Sequence, residues 1–329
     1  MRKIELYCQQ SFIDAFIDKM KRFSLIDETE NQGFIYDVYR LIFVNEQTTI
    51  YSDLTDEEIT SNNNPYIKAL LKKAKIESRK DEFTEALQDS TQKSYFENIS
   101  SCTRLFMLDI DWILAEKIED KFGYAVISKD KIERIERFFI FHKISLSKDY
   151  ENKWEFVKKY QHPCNAMVIS DNYLGKTEDD VKNNLLPILK RIMPNKLEMP
   201  FQLTIIGYNN DLDYESFLKT LKEGLKTLKY EVHLSFVKYG YHDRFIFTNY
   251  YQFSAGKGFK MFDINSSSSK YIKEDYKTVF EAISVILTNS SNTGNVFKSY
   301  AEKLKELTNI FVENSKLGTE AEHHNRLLQ

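Results

Sequence analysis

Cysteine is scarce. The three residues Cys8, Cys102 and Cys164 are far apart and odd in number, which fits neither a disulfide framework nor a C-x-x-C metal pair. They read as reduced structural thiols. Long apolar runs are missing as well: no stretch approaches the roughly 18 residues that a membrane-spanning helix needs. The first residues carry charge without a following apolar run or a small-residue cleavage site, so no secretory signal is expected and the location expected is the cytosol. Nor is there an excess of charge: 46 basic residues nearly cancel 49 acidic ones, so no global field draws the molecule to a polyanion and any such site must be local. Glycine (10) and proline (5) are few beside the many Lys, Asn, Ile, Tyr and Phe, a coding bias typical of AT-rich bacterial genomes. A dinucleotide-binding loop is lacking too, because the G-x-G at Gly256 and Gly258 has neither the helix nor the third glycine such a site requires.

What is present is a chain of 329 residues, 42% hydrophobic, long enough to bury a large core and to form two domains. The pattern predicts a mixed α/β fold, with an N-terminal domain over 1–162 of no recognisable family and a second domain over 163–329. A strand at 4–8 leads to a helix with an apolar stripe through Phe12, Phe16, Met20 and Phe23, capped by Ser11. Residues 34–44 and 48–51 read as a hairpin, and a short helix follows with acidic residues in its first turn. Residues 66–90 read as helical and charged. A strand at 104–109, a helix at 111–121 and a strand at 124–128 make a βαβ-like unit, and the boundary is expected near 161–163. In the second half, strands are expected at 166–170, 202–207, 231–237, 244–248 and 251–254, with a fourth member of the last group at 257–262. Helices are expected at 181–193, 213–228, 274–288 and 297–314. The serine run 266–269 reads as a turn and the last dozen residues as a frayed tail.

The chemistry concentrates after the strand 231–237, in Tyr241-His242-Asp243-Arg244 and then in Ser254-Ala255-Gly256-Lys257-Gly258. The alternation of a strand puts His242 and Arg244 on one face, where both reach a single ligand. Gly256 and Gly258 let the backbone approach closely, and Ser254 with neighbouring amides, beside Lys257, suits phosphate oxygens.

The spacing resembles the H-x-K-x4-D-x6-G-S motif of the phospholipase D superfamily. His242 matches the nucleophilic histidine, Arg244 the lysine and Asn249 the aspartate, with the glycine-serine element reordered as Ser254-Ala255-Gly256. The His242-Asp243-Arg244 variant followed by Gly256-Lys257-Gly258-Phe259 looks like the phospholipase-D-like C-terminal domain of MIT-domain proteins and like related domains of bacterial phage-defence systems. The resemblance covers about residues 165–265. It implies a mixed sheet flanked by helices and a defence or mobile-element component acting on nucleic acid. It also implies a metal-independent phosphodiesterase that needs no cofactor, with His242 as nucleophile, Arg244 as phosphate clamp, and Ser254 and the 256–258 backbone as oxyanion donors. One copy is half a site, so catalysis implies a homodimer that brings two His242 residues together. The alternative is a non-catalytic phosphate- or polyanion-binding subunit of a larger complex.

Local charge fits a polyanion. Between 238 and 273 stand Lys238, Arg244, Lys257, Lys260, Lys270 and Lys273 against Asp243 and Asp263, with Tyr239, Tyr241, Tyr250 and Tyr251 interleaved. A rival site is acidic: Asp53, Asp56, Glu57 and Glu58 with Asp109 and Asp111 would gather a divalent cation, as in PIN-like or other carboxylate nucleases, or would simply cap helices. Asp171 and Asn172, just past a strand, sit where α/β folds place ligand residues and where a turn uses the same residues. His162 and Cys164 read as packing.

Overall fold

In the computed structural model of the chain, residues 4–24, 43, 48–73, 75–99, 103–146, 153–207, 213–256, 258–259, 278–285, 296–318 and 324–329 are described, apart from the side chains of 21–24, 153 and 296–298. The fold is mixed α/β with one parallel and one mixed sheet. Contacts divide the chain into two compact units, Met1–Phe139 with Val285–Ala301, and Ile140–Ser284 with Glu302–Gln329. The division falls at Phe139–Ile140 rather than near 161–163.

The first unit holds five parallel strands, β1 (Ile4–Cys8), β2 (Thr48–Ser52), β3 (Ile76–Ser78), β4 (Arg104–Leu108) and β5 (Ala125–Ser128), in the order β3-β2-β1-β4-β5. Parallel pairing demands crossovers, and helices supply them: α1 (Gln10–Ser24), α2 (Asp56–Ser61), α3 (Pro65–Lys72), α4 (Lys80–Leu87), α5 (Asp89–Asn98) and α6 (Trp112–Phe122). Three of the starts have a local cause. Thr55 and Glu58 form a capping box on α2, Pro65 opens α3 behind an Asn64 cap, and Asp111 accepts from the amides of Ile113 and Leu114. Gly123 ends α6 with a φ of 66°, a left-handed conformation that glycine adopts without strain.

Two readings of this half change. The first arm of the expected hairpin lies outside the described residues apart from Phe43, while the second is β2, both of whose edges are taken by the parallel strands β1 and β3. The charged helical stretch 66–90 is broken by β3, a strand too short to show period two, in which Ile76 alone is buried.

The second unit carries eight strands in the order β13-β9-β8-β7-β10-β11-β12-β6. The strands are β6 (Phe141–Leu146), β7 (Ala166–Ser170), β8 (Phe201–Gly207), β9 (Val232–Lys238), β10 (Phe245–Thr248), β11 (Tyr251–Ala255), β12 (Thr278–Ser284) and β13 (Lys316–Gly318). β7, β8 and β9 are parallel and the other pairings antiparallel. Because β6 pairs with β12, the chain from Ile140 to Ser284 belongs to this unit. A helical run, α7, joins β7 to β8 through Glu178–Asp180, a π-helical stretch Val181–Leu185 and Leu186–Ile192, and α8 (Tyr214–Leu225) joins β8 to β9. Aromatic residues fill the core beside the 3-10 helix Lys153–Tyr160: Phe156 meets Phe280 edge-on with centroids 4.9 Å apart, and Tyr160 meets Phe253 at 5.7 Å.

Here too the structure corrects the reading. Of the helix expected over 274–288, residues 278–285 are described, and Thr278–Ser284 is the strand β12, whose burial alternates so that Thr278, Phe280, Ala282 and Ser284 face inward. Its β-branched and aromatic residues at period two outweigh the helical reading. Of the strand expected over 257–262, Gly258 and Phe259 are described and neither is in a strand, and the serine run lies outside the described residues. The helix expected over 297–314 is α9 (Val296–Glu313). Of the expected tail, residues 324–329 do not fray: Leu327 and Leu328 are buried, and Asn325 donates to Met167 O, Gln202 O and Thr204 Oγ1.

Among the described residues no helix is long and apolar enough to cross a membrane. Cys102 lies outside them, and Cys8 and Cys164 are buried free thiols whose ionisation burial pushes well up. Iodoacetamide added to the native protein is therefore expected to leave the peptides bearing Cys8 and Cys164 unmodified by mass spectrometry until denaturant is present. Modification of both at the rate of a free thiol would contradict this packing.

Candidate phosphate site

The carboxyl ends of β7, β8 and β9 form one edge of the parallel part of the second sheet, the place where α/β sheets present ligand-binding loops. The chain leaves β9 and runs across this edge as residues 239–244 before entering β10. It is pinned at several points. The Tyr239 amide donates to Gly207 O (3.0 Å), Ser170 Oγ donates to Asp243 O (2.9 Å), Lys303 Nζ holds Asp243 Oδ2 at 2.7 Å, and the Tyr241 hydroxyl donates to Glu306.

His242 and Arg244 therefore lie in a loop and not on a strand, so strand alternation does not set their directions. His242 is exposed and makes no hydrogen bond or ring contact with a described residue. Arg244 is half-buried. Its guanidinium carbon lies 5.3 Å from the ring centroid of Tyr173, which is itself 49% exposed, and its Nη1 donates to Gly256 O at 3.1 Å. A guanidinium stacked on one aromatic face and tied by one nitrogen is a fixed, planar donor, the geometry suited to phosphate oxygens.

Asp171 lies beneath. It follows β7 directly and is 3% exposed. Its Oδ1 accepts from the Tyr173 amide (2.8 Å) and its Oδ2 from the Phe259 amide (2.7 Å). Burial pushes its carboxyl group up, while the amides of Phe259, Tyr173 and Leu174 and the Arg244 guanidinium pull it back. Gly258 separates the two charged groups at a φ of +89°: a Cβ there would lie 2.8 Å from both Arg244 Cδ and Asp171 Oδ2. Gly207 permits a similar approach, since a Cβ on it would stand 2.6 Å from Asp171 O.

The other expected members go elsewhere. Asn249 is fully buried at the far end of β10 from His242. Its Oδ1 accepts from the Asn165 and Ala166 amides (2.9 and 3.2 Å) and its Nδ2 donates to Asn165 Oδ1 (3.0 Å), so it locks the β10–β11 turn onto the start of β7. Ser254 turns its hydroxyl to Glu281 Oε2 at 3.4 Å. The amides of Gly256 and Gly258 are taken by Val279 O and Ala255 O, so the glycine turn offers Arg244 a carbonyl and offers no ligand those two amides. Lys257 lies outside the described residues.

The acidic set does not gather. Asp53 Oδ1 accepts from the Gln10 amide at the start of α1, Glu57 is exposed on α2, Asp109 pairs with Lys129 at 2.6 Å, and Asp111 caps α6. No group of three or more His, Cys, Asp or Glu among the described residues is placed to hold a metal ion. His162 stacks on Tyr251 with centroids 4.8 Å apart, as the packing reading requires.

Sequence reasoning missed Tyr173 and Lys303, which stand far from the motif in the chain. It left Asp171 between ligand and turn, and the turn is what the structure shows. The findable signal was Gly258, a glycine in a chain with 10 of them, placed where a strand partner had just ended. In comparisons with known proteins, no family model and no curated sequence matches the chain.

Proposed function

We propose that the second unit is a recognition module that binds single-stranded nucleic acid through a phosphate at Arg244 and a base stacked beside it. The observation that carries this reading is the Arg244 guanidinium stacked on a half-exposed Tyr173 at a sheet edge, with the exposed Tyr239, 40% accessible, and His242 on the same loop. Phosphate supplies affinity and aromatic faces accept any base, a pairing that suits an open strand. Lys303 contributes less, because Asp243 already neutralises it.

The phosphodiesterase reading draws on the same motif but has less support. Asn249 is committed to the backbone amide and side chain of Asn165, and a second His242 would have to come from another copy of the chain. The setting of the proposed activity, bacterial defence, rests on the resemblance of His242-Asp243-Arg244.

Binding of a labelled oligo(dT) of about 20 nucleotides should be measured by fluorescence anisotropy across a salt series. Arg244→Ala is expected to weaken binding roughly 10- to 100-fold, the value of a charge-assisted hydrogen bond, and to lower the salt slope by about 1. His242→Ala is expected to change affinity less than about threefold, as for an exposed group. If His242→Ala instead abolishes cleavage of the strand while Arg244→Ala leaves affinity intact, the module is an enzyme and the reading fails.

A further inference from the structure

The two contacts on the Arg244 guanidinium come from two different loops. The ring of Tyr173 belongs to the loop after β7, and the carbonyl of Gly256 belongs to the turn after β11. The pairing of β7 with β10 and of β10 with β11 sets the roots of both loops, two strands apart in the sheet. One buried side chain meets both: Asp171 accepts the Tyr173 amide on one oxygen and the Phe259 amide on the other. A Cβ on Gly258 would stand 2.8 Å from both Arg244 Cδ and Asp171 Oδ2, so the arginine stem passes that carboxyl group across an unsubstituted glycine.

We propose that Asp171 is the positioning residue for phosphate recognition at Arg244, on the reading given above: a single buried carboxylate clamps the Tyr173 loop to the glycine turn and so fixes the slot in which the guanidinium meets its ligand. Asp171 does not touch the ligand. It acts through the direction of Arg244, and the negative charge it places under the guanidinium opposes anion binding.

That opposition gives the clamp a sign that separates it from a pure field effect. Asp171→Asn removes the opposing charge, and electrostatics alone would then tighten binding of a phosphate. Geometry predicts the reverse. An asparagine can still accept the Tyr173 amide, but its amide nitrogen would face the Phe259 N–H, donor against donor, and release the glycine turn. The expected result is a loss of roughly tenfold in oligo(dT) affinity, the order of one charge-assisted hydrogen bond, with the salt slope unchanged because Arg244 keeps its charge. Equal or tighter binding by a folded Asp171→Asn protein would overturn the proposal. In the same series, loss with Arg244→Ala but not with Asp171→Asn rejects the clamp alone, whereas no loss with Arg244→Ala rejects the binding reading itself.

Should Asp171→Asn fail to fold, hydrogen–deuterium exchange on the wild-type chain with and without the same oligo(dT) decides. Peptides covering Tyr173 and Phe259 are expected to gain protection together. Protection of one without the other, or of neither at saturating oligonucleotide, would count against the clamp.

Discussion

Asn249→Asp is expected to lower the stability of the second unit by about 2–4 kcal/mol and to create no activity. By the spacing of the H-x-K-x4-D motif that this window resembles, the change would supply the aspartate and ought to help. The structure gives the opposite sign. One oxygen of the new side chain could go on accepting the amides of Asn165 and Ala166. The other would replace Nδ2 and point at Asn165 Oδ1, which lies 3.0 Å from it, acceptor against acceptor in a fully buried site. Neutralising the carboxyl group by protonation is the cheapest escape, so the loss should shrink as the pH falls toward 4. For a domain of this size the melting midpoint should fall by roughly 5–15 °C at neutral pH, measured by circular dichroism. A midpoint unchanged or raised, accompanied by strand cleavage, would return Asn249 to the active-site role that the motif suggests.

Removal of the last six residues, 324–329, should be worse. Leu327 is fully buried and Leu328 is 3% exposed, and burying one leucine contributes about 1.5–3 kcal/mol, so the pair supplies about 3–6 kcal/mol. The polar anchors add to this. Asn325 Nδ2 serves three acceptors on β7 and β8, and the Arg326 amide and Nε both donate to Gln202 Oε1, at 2.7 and 3.1 Å. Deletion would leave the buried Gln202 and Thr204 side chains without those partners, a cost comparable to the apolar loss. A urea midpoint equal to that of the full chain would show that the tail is not part of the fold. Asn325→Ala provides a milder version, with an expected loss of about 1–3 kcal/mol.

These two expectations mark how far the residues could be read in one dimension. The capped helices and the central strands were legible because their signals are local. Asp111 before an apolar stripe, Gly123 after it, and β-branched runs at 166–170 and 232–238 act over a few residues, and nothing distant opposes them. The strand β12 was misread because its seven residues satisfy a helical pattern as easily as a strand until the neighbours β11 and β6 settle which face is covered. The tail looked like a polar end for a related reason: its two leucines are apolar only in a segment that has somewhere to go.

The candidate site divides in the same way. His242, Arg244, Gly256 and Gly258 are neighbours in a short window, and the structure does bring Arg244 and the glycine turn together. Asn249 sits in that window as well, yet a strand four residues long carries it to the opposite end of β10, where buried backbone amides claim it. Tyr173, Asp171 and Lys303 are separated from Arg244 in the chain and enter only through the sheet order.

The sequence by itself determined the capped helices, the central strands and the balance of charge, and it singled out the short window proposed to bind phosphate. Only the tertiary structure decided which members of that window share a site. Propensity, capping and period act between residues a few positions apart. The direction of a guanidinium, the partner of a buried amide and the fate of a terminal leucine depend on strands that meet only after the sheet has closed, with partners dozens of residues away.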